Sequence, residues 1–374
     1  MTASLIEIIR FLVSSPTISS APNLEIIDYL DNFFSNLGFT NIRISHPQDP
    51  KRANLLCKIG PELPGGLMIS GHTDVVPVSG QNWSSDPFKL SEKNGRYIGR
   101  GTTDMKGFIA ASCYALSRID FTTLKIPLSL LWTYDEEIGC SGSSVAAPLL
   151  KNYFKYLPEA ALIGEPTDFN IFSMHSGHAS LRITVKGKGA HSSNPRLGIS
   201  AIKGLNQILS ALFKFEEELK QEGISLNVGH INGGSAVNII PDEATAVIGF
   251  RPLPDSSIDV IFKRIEHIAQ GACYEPGAKI SVTLEQCTPP MMSKSGSRLE
   301  KVISAYARPS EQRAAAFSTD AGNLSVQGIN CLIFGPGNID IAHQADEYIN
   351  IADLEQAVDT ISNIVKNYTM ATQD

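Results

Sequence analysis

The sequence has no excess of positive charge, no uncharged N-terminal segment and no unbroken hydrophobic stretch of membrane length. Its 31 Lys and Arg residues are outnumbered by 38 Asp and Glu residues, and the formal net charge is −7. Because phosphate binding needs a basic surface, this balance argues against a nucleic-acid partner. Glu7 and Arg10 interrupt the N-terminal apolar stretch, whereas a secretory signal peptide has an uncharged core. Gly, Asn and Pro interrupt the uncharged stretch 321–339, so no membrane helix is predicted.

Cysteine is scarce and scattered. None of the six residues belongs to a CxxC pair; they are Cys57, Cys113, Cys140, Cys273, Cys287 and Cys331. In apolar or small-residue surroundings a reduced, buried thiol is the usual state. Scattered cysteines in a chain of this size, without a secretion signal, predict a reducing, cytoplasmic location.

Length and hydrophobic periodicity predict an α/β protein with two domains. The chain has 374 residues, more than a single hydrophobic core usually accommodates. Apolar residues at helical spacing predict a first helix near Leu5 and a second helix over 24–37. Asn23 is the predicted N-cap of the second helix, and Gly38 is its predicted C-terminal stop.

Four short apolar runs predict strands that are buried on both faces, as in a parallel sheet with helices on either side. They occupy 67–69, 128–134, 160–163 and 331–334. His or acidic side chains directly follow the first three runs, and the fourth run ends at Gly335-Pro336-Gly337, a few residues before His343. Because sites in open α/β sheets form at the carboxyl ends of the strands, these side chains are expected to converge at one edge of the sheet.

Two His and three acidic residues in this pattern predict a metal site: His72, Asp104, Glu137, Glu165 and His343. Zinc binds imidazole nitrogen and carboxylate oxygen, and two zinc ions roughly 3.5–4 Å apart need a shared ligand such as a carboxylate. Asp104 opens a loop rich in glycine, which allows a tight backbone, and is the predicted bridging ligand. Each residue alone would more often be structural; their common position after the strands favours the metal site.

The acidic pair Glu136 and Glu137 predicts two different roles. In an extended segment neighbouring side chains point apart, so Glu137 is expected to bind metal while Glu136 acts as general base for water. The alternative is a solvated acidic turn, which would be favoured if the other ligands were missing. Asp74 lies two residues after His72, on the same face of a strand, where its carboxylate could hold the distal N–H of the imidazole.

The segment 177–285 has a separate pattern, β-α-β-β-α-β, which predicts a ferredoxin-like α+β domain. Its first predicted helix covers 198–222, with Ile202 among the inward residues. None of the five candidate ligands falls in this segment. The predicted organisation is therefore a mostly parallel-sheet catalytic domain in two parts, 1–176 and 286–374, with an inserted domain at 177–285.

These motifs resemble those of the dinuclear zinc acylases and peptidases, a family that includes acetylornithine deacetylase, succinyl-diaminopimelate desuccinylase, aminoacylase and carboxypeptidase G. The similarity extends over nearly the whole chain in a consistent order. The strings most similar to the acetylornithine deacetylase branch are 71–77 (GHTDVVP), 83–88 (WSSDPF), 104–108 (DMKGF), 335–337 (GPG), 342–344 (AHQ) and 346–348 (DEY). Glu rather than Asp at position 165 is similar to the acylases and carboxypeptidases.

The resemblance implies two zinc ions per subunit, with cobalt as an alternative metal. His72, Asp104 and Glu165 would hold one ion, and Asp104, Glu137 and His343 would hold the other. Asp104 would bridge the two ions. The resemblance therefore implies the same five ligands that the strand ends and the glycine-rich loop predict.

The resemblance also implies roles for five further residues. Glu136 would be the general base, and Asp74 would orient the imidazole of the first ligand. The inserted domain would form a homodimer interface and a mobile lid, from which His191 reaches the partner subunit's active site and stabilises the oxyanion. Asn238 and Arg251 would bind the substrate backbone and carboxylate. For Arg251, a surface salt bridge is an equally good interpretation of the sequence alone.

The implied reaction is hydrolysis of N2-acetyl-L-ornithine to L-ornithine and acetate, a step of arginine biosynthesis. Asp320 or Glu347 could meet the substrate's δ-ammonium, and the sequence does not choose between them. Alternative functions are desuccinylation of succinyl-diaminopimelate, or another deacylase or dipeptidase activity of the same family. A non-catalytic dimeric binding protein is a further alternative, although such relatives usually lose ligands that are all present here.

Overall fold

The computed structural model describes residues 3–308 and 314–370, and the chain divides into two compact units. The first unit is built from the segments up to Met174 and from Met291 onward. The second unit is the insertion His175–Pro290. Within the described residues, no helix has both the length and the apolar character needed to cross a membrane.

The helices of the described chain are α1 (Leu5–Ser14), α2 (Leu24–Asn36), α3 (Lys106–Leu116), α4 (Ser141–Leu149), α5 (Ala201–Gln221), α6 (Ile258–Ala272), α7 (Arg298–Ser304), α8 (Ala321–Val326) and α9 (Ile351–Thr369). The strands are β1 (Thr40–Ser45), β2 (Ala53–Ile59), β3 (Leu67–His72), β4 (Ser91–Lys93), β5 (Arg96–Ile98), β6 (Leu128–Thr133), β7 (Ala160–Ile163), β8 (Met174–His175), β9 (His178–Lys186), β10 (Ala190–His191), β11 (Ser225–Gly233), β12 (Ile239–Ile240), β13 (Glu243–Arg251), β14 (Lys279–Thr288), β15 (Met291–Met292), β16 (Ala314–Ala315), β17 (Asn330–Ile333) and β18 (Tyr348–Asn350).

The first two helices form where the sequence predicts them. Ser4 and Glu7 form a capping box at the start of α1, in which the Ser4 N–H donates to the Glu7 carboxylate at 2.7 Å. Gly38 follows α2 with φ +90°, a conformation that glycine adopts without a steric penalty. Asn23 is the N-cap residue of α2, as predicted, but its side chain does not bond to the first turn of the helix. Its amide instead exchanges two hydrogen bonds with the backbone of Ala53, both at 2.9 Å, and so ties α2 to β2.

The six-stranded central sheet has the order β1-β2-β6-β3-β7-β17. Strands β6, β3, β7 and β17 are parallel, and β2 runs antiparallel to both β1 and β6. Every residue of β3, β6 and β7 is buried, which explains their continuous hydrophobic runs. The predicted α/β class with a mostly parallel sheet is confirmed, with an antiparallel hairpin at one side.

Both faces of this sheet are covered by hydrophobic packing. Helices α1, α2, α3 and α9 cover one face, where Ile69 and Leu130 contribute to the core. Helices α4 and α8 cover the other face, where Met68 and Leu131 contribute. Because successive strand residues point to opposite faces, the alternate residues of one strand enter two different cores. This packing holds the carboxyl ends of the parallel strands at a common edge.

The inserted unit is a four-stranded antiparallel sheet of order β11-β13-β9-β14, packed with α5 and α6 around its own hydrophobic core. Its element order is β9-α5-β11-β13-α6-β14, the split β-α-β arrangement of ferredoxin-like domains. Ile202 was wrongly placed in this core. It is 43% exposed, because Ala201 takes the inward position one residue earlier, and it packs beside Gly233 and Gly234.

The insertion ends at Pro290 in the structure, later than the boundary between 285 and 286 that the sequence predicts. Strand β14 continues to Thr288 and pairs with β9 as far as His178. The register of this pairing shifts between Leu284 and Gln286. An irregular segment of this kind interrupts the alternation of exposed and buried residues, which explains why the sequence pattern stops too early.

Candidate metal centre and active site

Three parallel strands deliver candidate ligands to one edge of the central sheet. His72 is the last residue of β3, and its register partner is Thr133, the last residue of β6. Glu137 follows β6 by four residues, and Glu165 follows β7 by two residues. Because these strands are parallel and adjacent, their carboxyl ends bring the side chains together.

The Asp104 carboxylate faces one imidazole with each of its oxygens. Oδ1 lies 3.0 Å from His72 Nε2, and Oδ2 lies 3.2 Å from His343 Nε2. Glu137 Oε2 lies 2.9 Å from His343 Nε2. Donor atoms of His72, Asp104 and Glu137 all lie within 4.8 Å of one another, close enough to share a metal ion. The carboxylate of Asp104 therefore lies between two imidazoles.

These donor atoms fit a metal ion. Ligand atoms bound at about 2.0–2.2 Å in a tetrahedral arrangement are roughly 3.3 Å apart, close to the separations between the Asp104 oxygens and the two imidazoles. Nitrogen and oxygen donors of these types are those that zinc prefers. A carboxylate with one oxygen toward each imidazole also has the geometry needed to bridge two ions.

The carboxylates of the site are crowded as well as buried. Burial raises the pKa of Glu165 well above its usual value, the Asp104 charge adds to the rise, and the His72 charge opposes it. Burial likewise raises the pKa of Glu137 to about 7, with the Asp104 charge adding to the rise and the His343 hydrogen bond opposing it. Negative charges forced together in this way would be stabilised by a cation.

Glu136 lies beside these residues in a turn. Burial raises its pKa well above the usual value, the His72 charge opposes the rise, and the Glu165 charge adds to it. The Cys140 thiol donates to Glu136 Oε1 at 3.5 Å. The expectation of an extended segment here was wrong, because β6 ends at Thr133 and Asp135 has φ +52°. The side chains of Glu136 and Glu137 therefore diverge because the chain turns here, and not because they alternate along a strand.

Asp74 contacts the acidic turn more closely than it contacts His72. Its carboxylate accepts hydrogen bonds from the Glu136 N–H at 3.0 Å and the Glu137 N–H at 3.3 Å. It also accepts from Ser19 Oγ at 2.7 Å. His72 Nδ1 lies 3.0 Å from the backbone oxygen of Asp74 and 3.6 Å from its carboxylate. The sequence analysis placed Asp74 within a strand, which was wrong because β3 ends at His72. As a result, the backbone oxygen of Asp74 lies nearer to the His72 imidazole than the Asp74 carboxylate does.

The loop that carries Asp104 is closely packed. Gly101 has φ +82°, and a Cβ on Gly107 would lie 2.3 Å from the backbone oxygen of Thr102. Lys106 is buried, and its Nζ donates to the Ser15 backbone oxygen at 2.7 Å. Burial lowers the pKa of Lys106 to about 7, against the opposing effects of nearby carboxylates. Glycine therefore gives this loop both its turn and its close approach to α3.

Neither acid suggested for the substrate ammonium is accessible in this structure. Glu347 is 1% exposed, and its carboxylate accepts from Arg100 and from three backbone N–H groups. Asp320 is 2% exposed and accepts from Thr133 Oγ1 at 2.5 Å. The suggested role for Glu347 was wrong because both of its oxygens are already used. The sequence reasoning missed Arg100, whose buried guanidinium follows β5 without a distinctive motif.

The other three predicted site residues lie in the inserted unit. His191 belongs to the short strand β10, which pairs with β12, and its Nδ1 lies 2.7 Å from Ser193 Oγ. Asn238 is exposed, and its backbone oxygen accepts from the Ser192 N–H. Arg251 is the exposed last residue of β13. Among the residues that the structure describes, Arg251 forms no ion pair, so its positive charge is open to solvent.

Comparisons with known proteins agree on one family. Residues 68–367 match Peptidase family M20/M25/M40. Acetylornithine deacetylase from Vibrio campbellii is 32% identical over 388 residues, which cover 98% of each chain. Acetylornithine deacetylase from Buchnera aphidicola is 33% identical over 385 residues, again with 98% of each chain covered. The chain belongs to Peptidase family M20/M25/M40 and is a hydrolase that acts on amides.

Solved structures show the same fold. An M20 family metallo-carboxypeptidase from Sulfolobus solfataricus superposes with a TM-score of 0.76 at 19% identity, covering 98% of this chain and 99% of that chain. A dinuclear metal-binding peptidase of the M20 family from Bacillus subtilis superposes with a TM-score of 0.70 at 14% identity, covering 98% of both chains. The likeness therefore extends over both units of the chain.

Proposed function

We propose that this protein is a zinc-dependent deacetylase that hydrolyses N2-acetyl-L-ornithine to L-ornithine and acetate, a step of arginine biosynthesis. The observation that carries the proposal is the Asp104 carboxylate, which directs one oxygen to His72 and the other to His343. The full-length similarity to acetylornithine deacetylases supports the choice of substrate.

We propose that the site holds two zinc ions per subunit, which cobalt can replace. His72, Asp104 and Glu165 would bind one ion, and Asp104, Glu137 and His343 the other. Bound zinc lowers the pKa of water and polarises the acyl carbonyl. The crowded buried carboxylates support this assignment, since a cation would relieve their mutual repulsion.

Glu136 is the proposed general base and acid. Its carboxylate takes a proton from the attacking water and returns it to the amine that leaves when the amide bond breaks. The backbone N–H groups of Glu136 and Glu137 both donate to Asp74, which supports a role for Asp74 in orienting this turn. Burial and the Glu165 charge raise the pKa of Glu136 against the opposing His72 charge, which supports its capacity to hold the proton that it takes from water.

The inserted unit is the proposed source of substrate contacts and of a homodimer interface. His191 from a partner subunit would stabilise the oxyanion, Asn238 would bind the substrate backbone and Arg251 would bind its α-carboxylate. The exposure of all three residues supports this proposal. Light scattering is expected to show a dimer, and a fully active monomer would contradict the role of His191. The cytoplasmic location stays a prediction.

The deciding experiment compares kcat/KM of the zinc-loaded protein on N2-acetyl-L-ornithine and on N-succinyl-L,L-diaminopimelate. A strong preference for acetylornithine is expected. Preference for the succinyl substrate would retain the fold and the base but reassign the pathway. Turnover of neither would move the proposal to another deacylase or dipeptidase of the family. Family membership as a hydrolase speaks against the non-catalytic binding protein considered above.

A further inference from the structure

We propose that Arg100, Glu347 and Gln81 are positioning residues that hold the Asp104 loop and the His343 loop together, so that one carboxylate can face both imidazoles. We name these three residues the loop brace. The inference rests on the proposed metal site, and it assigns to Glu347 a task other than substrate recognition. The three residues contact the candidate ligands only at backbone atoms, and not at the side-chain atoms that would bind the metal.

The Glu347 carboxylate fastens the Asp104 loop through its backbone. Oε1 accepts hydrogen bonds from the Thr103 N–H at 2.9 Å and the Asp104 N–H at 3.0 Å. Oε2 accepts from the Gly101 N–H at 3.0 Å. A carboxylate is suited to this task because it offers only acceptors, and several N–H donors can share its two oxygens. The backbone of the predicted bridging ligand is therefore held at its own amide nitrogen.

The Arg100 guanidinium joins that loop to the His343 loop. Its Nη1 donates to Glu347 Oε2 at 2.7 Å and to the Gln344 backbone oxygen at 3.3 Å. Its Nη2 donates to Gln81 Oε1. Arg100 and Glu347 are each 1% exposed, so the ion pair is protected from solvent. The planar fork of Arg can reach these acceptors together, whereas a Lys ammonium is a single point charge.

Gln81 completes the connection at His343 itself. The Gln81 amide donates to the His343 backbone oxygen at 2.7 Å, while its Oε1 also accepts from the Trp83 indole at 3.0 Å. The His343 side chain is 48% exposed, and its φ is +64°, a conformation that non-glycine residues rarely adopt. Because little packing restrains this side chain, its direction depends on a fixed backbone.

The pairing of two short strands explains why these distant residues meet. β18 pairs antiparallel with β5, with Tyr348 opposite Ile98. Glu347 comes immediately before β18 and therefore lies beside the residues that connect β5 to Arg100. The Gly99 N–H donates to the Glu347 backbone oxygen at 2.9 Å and extends this pairing by one residue. The two ligand loops are thus joined by both backbone and side-chain bonds.

The test measures zinc affinity in three brace variants of the whole protein. Glu347→Gln places an amide donor against the backbone N–H groups or Arg100, Arg100→Lys removes the fork, and Gln81→Met keeps size but removes the amide. Each protein is loaded with Zn²⁺ and titrated with a competing chelator, and kcat, KM and the melting temperature are measured in parallel. We expect Glu347→Gln and Arg100→Lys to weaken the binding of at least one zinc ion by about 10–100-fold, with kcat falling more than KM changes.

The matched control is Arg298→Gln. The Arg298 guanidinium donates to the Tyr368 backbone oxygen at 2.7 Å, in the same unit but between α7 and α9. This variant is expected to lower the melting temperature without changing zinc affinity, which separates positioning from general stability. Gln81 is only partly buried, so Gln81→Met keeps the test informative if the buried variants do not fold.

The possible outcomes distinguish a failure of the loop-brace proposal from a failure of the proposed reaction. Folded brace variants that bind zinc as tightly as the wild type would overturn the inference. Wild-type protein that binds no zinc would overturn it together with the proposed metal site. Tight wild-type zinc binding without turnover of acetylornithine would reject only the proposed substrate, because the affinity comparison does not depend on it.

Discussion

Gly107→Ala should destabilise this protein, although the same change usually stabilises a helix. Gly107 is the second residue of α3 and is buried under the loop that ends at Asp104. A Cβ at this position would lie 2.3 Å from the Thr102 backbone oxygen and 3.1 Å from Ile349 Cδ1. The first contact is with a main-chain atom, which cannot rotate away as a side chain can. The loop backbone would therefore have to move.

Two opposing effects set the size of the change. Helix propensity favours Ala over Gly by about 1 kcal/mol. Overpacking of a well-packed site costs about 1–3 kcal/mol, and a clash with backbone belongs at the upper end of that range. We therefore expect a net loss of about 2 kcal/mol in the free energy of unfolding. Because the displaced Thr102 is two residues from Asp104, metal affinity should fall in the same variant.

Gly271→Ala is the matched control for this prediction. Gly271 lies in α6, and a Cβ there would have no other atom within 4 Å. Helix propensity then acts alone, and a gain of about 0.5–1 kcal/mol is expected. Urea unfolding followed by circular dichroism measures both variants, and a chelator titration measures their metal affinity. The reasoning is refuted if Gly107→Ala is as stable as the wild type and binds metal equally well.

Further predictions concern the acidic site. Glu136→Gln should lower kcat by about 10²–10⁴-fold, the usual size of a general-base contribution, while bound metal measured by elemental analysis stays nearly unchanged; retained turnover would reject the base assignment. In the metal-free protein, the raised pKa of Glu137, about 7, means that the folded state binds a proton more tightly than the unfolded state. Stability should therefore fall as pH rises from about 4.5 to 7, and calorimetry at several pH values measures it. The pKa of His343 is raised to about 10. Its contribution to stability is complete below the pKa of the unfolded state and is lost as pH rises toward 10, so His343 also makes stability fall with rising pH. Added zinc should consequently raise the melting temperature more at pH 8 than at pH 5, and an equal rise at both would contradict the charge crowding.

The elements whose residues are patterned locally were predictable from the sequence. The continuous apolar runs of β3, β6 and β7 predict buried strands, because every residue of these strands is buried and helices cover both faces of the sheet. Alternating burial along β9 and β13 likewise predicts a sheet with one covered face. The errors lie at the margins, in the end of β14 and the exposure of Ile202, where tertiary contacts override periodicity.

The candidate site likewise combines features that the sequence predicts with features that depend on tertiary contacts. The sequence alone named five candidate ligands, because His and acidic side chains after buried strands are chemically distinctive, although their roles as ligands stay predictions. The sequence could not distinguish Glu347 as a backbone anchor from Glu347 as a substrate contact. Its neighbours Arg100 and Gln81 are distant in the sequence, and they meet it only through the pairing of β5 with β18.

The sequence by itself determined the class of fold, the candidate metal ligands and the family, since these depend on residue types and their spacing. Only the tertiary structure decided which acid holds the Asp104 loop and which one holds the acidic turn. The physical reason is that a hydrogen bond or a ligand contact depends on tenths of an ångström between residues far apart in the chain. Those distances arise from strand pairing and core packing, and they leave no local pattern in the sequence.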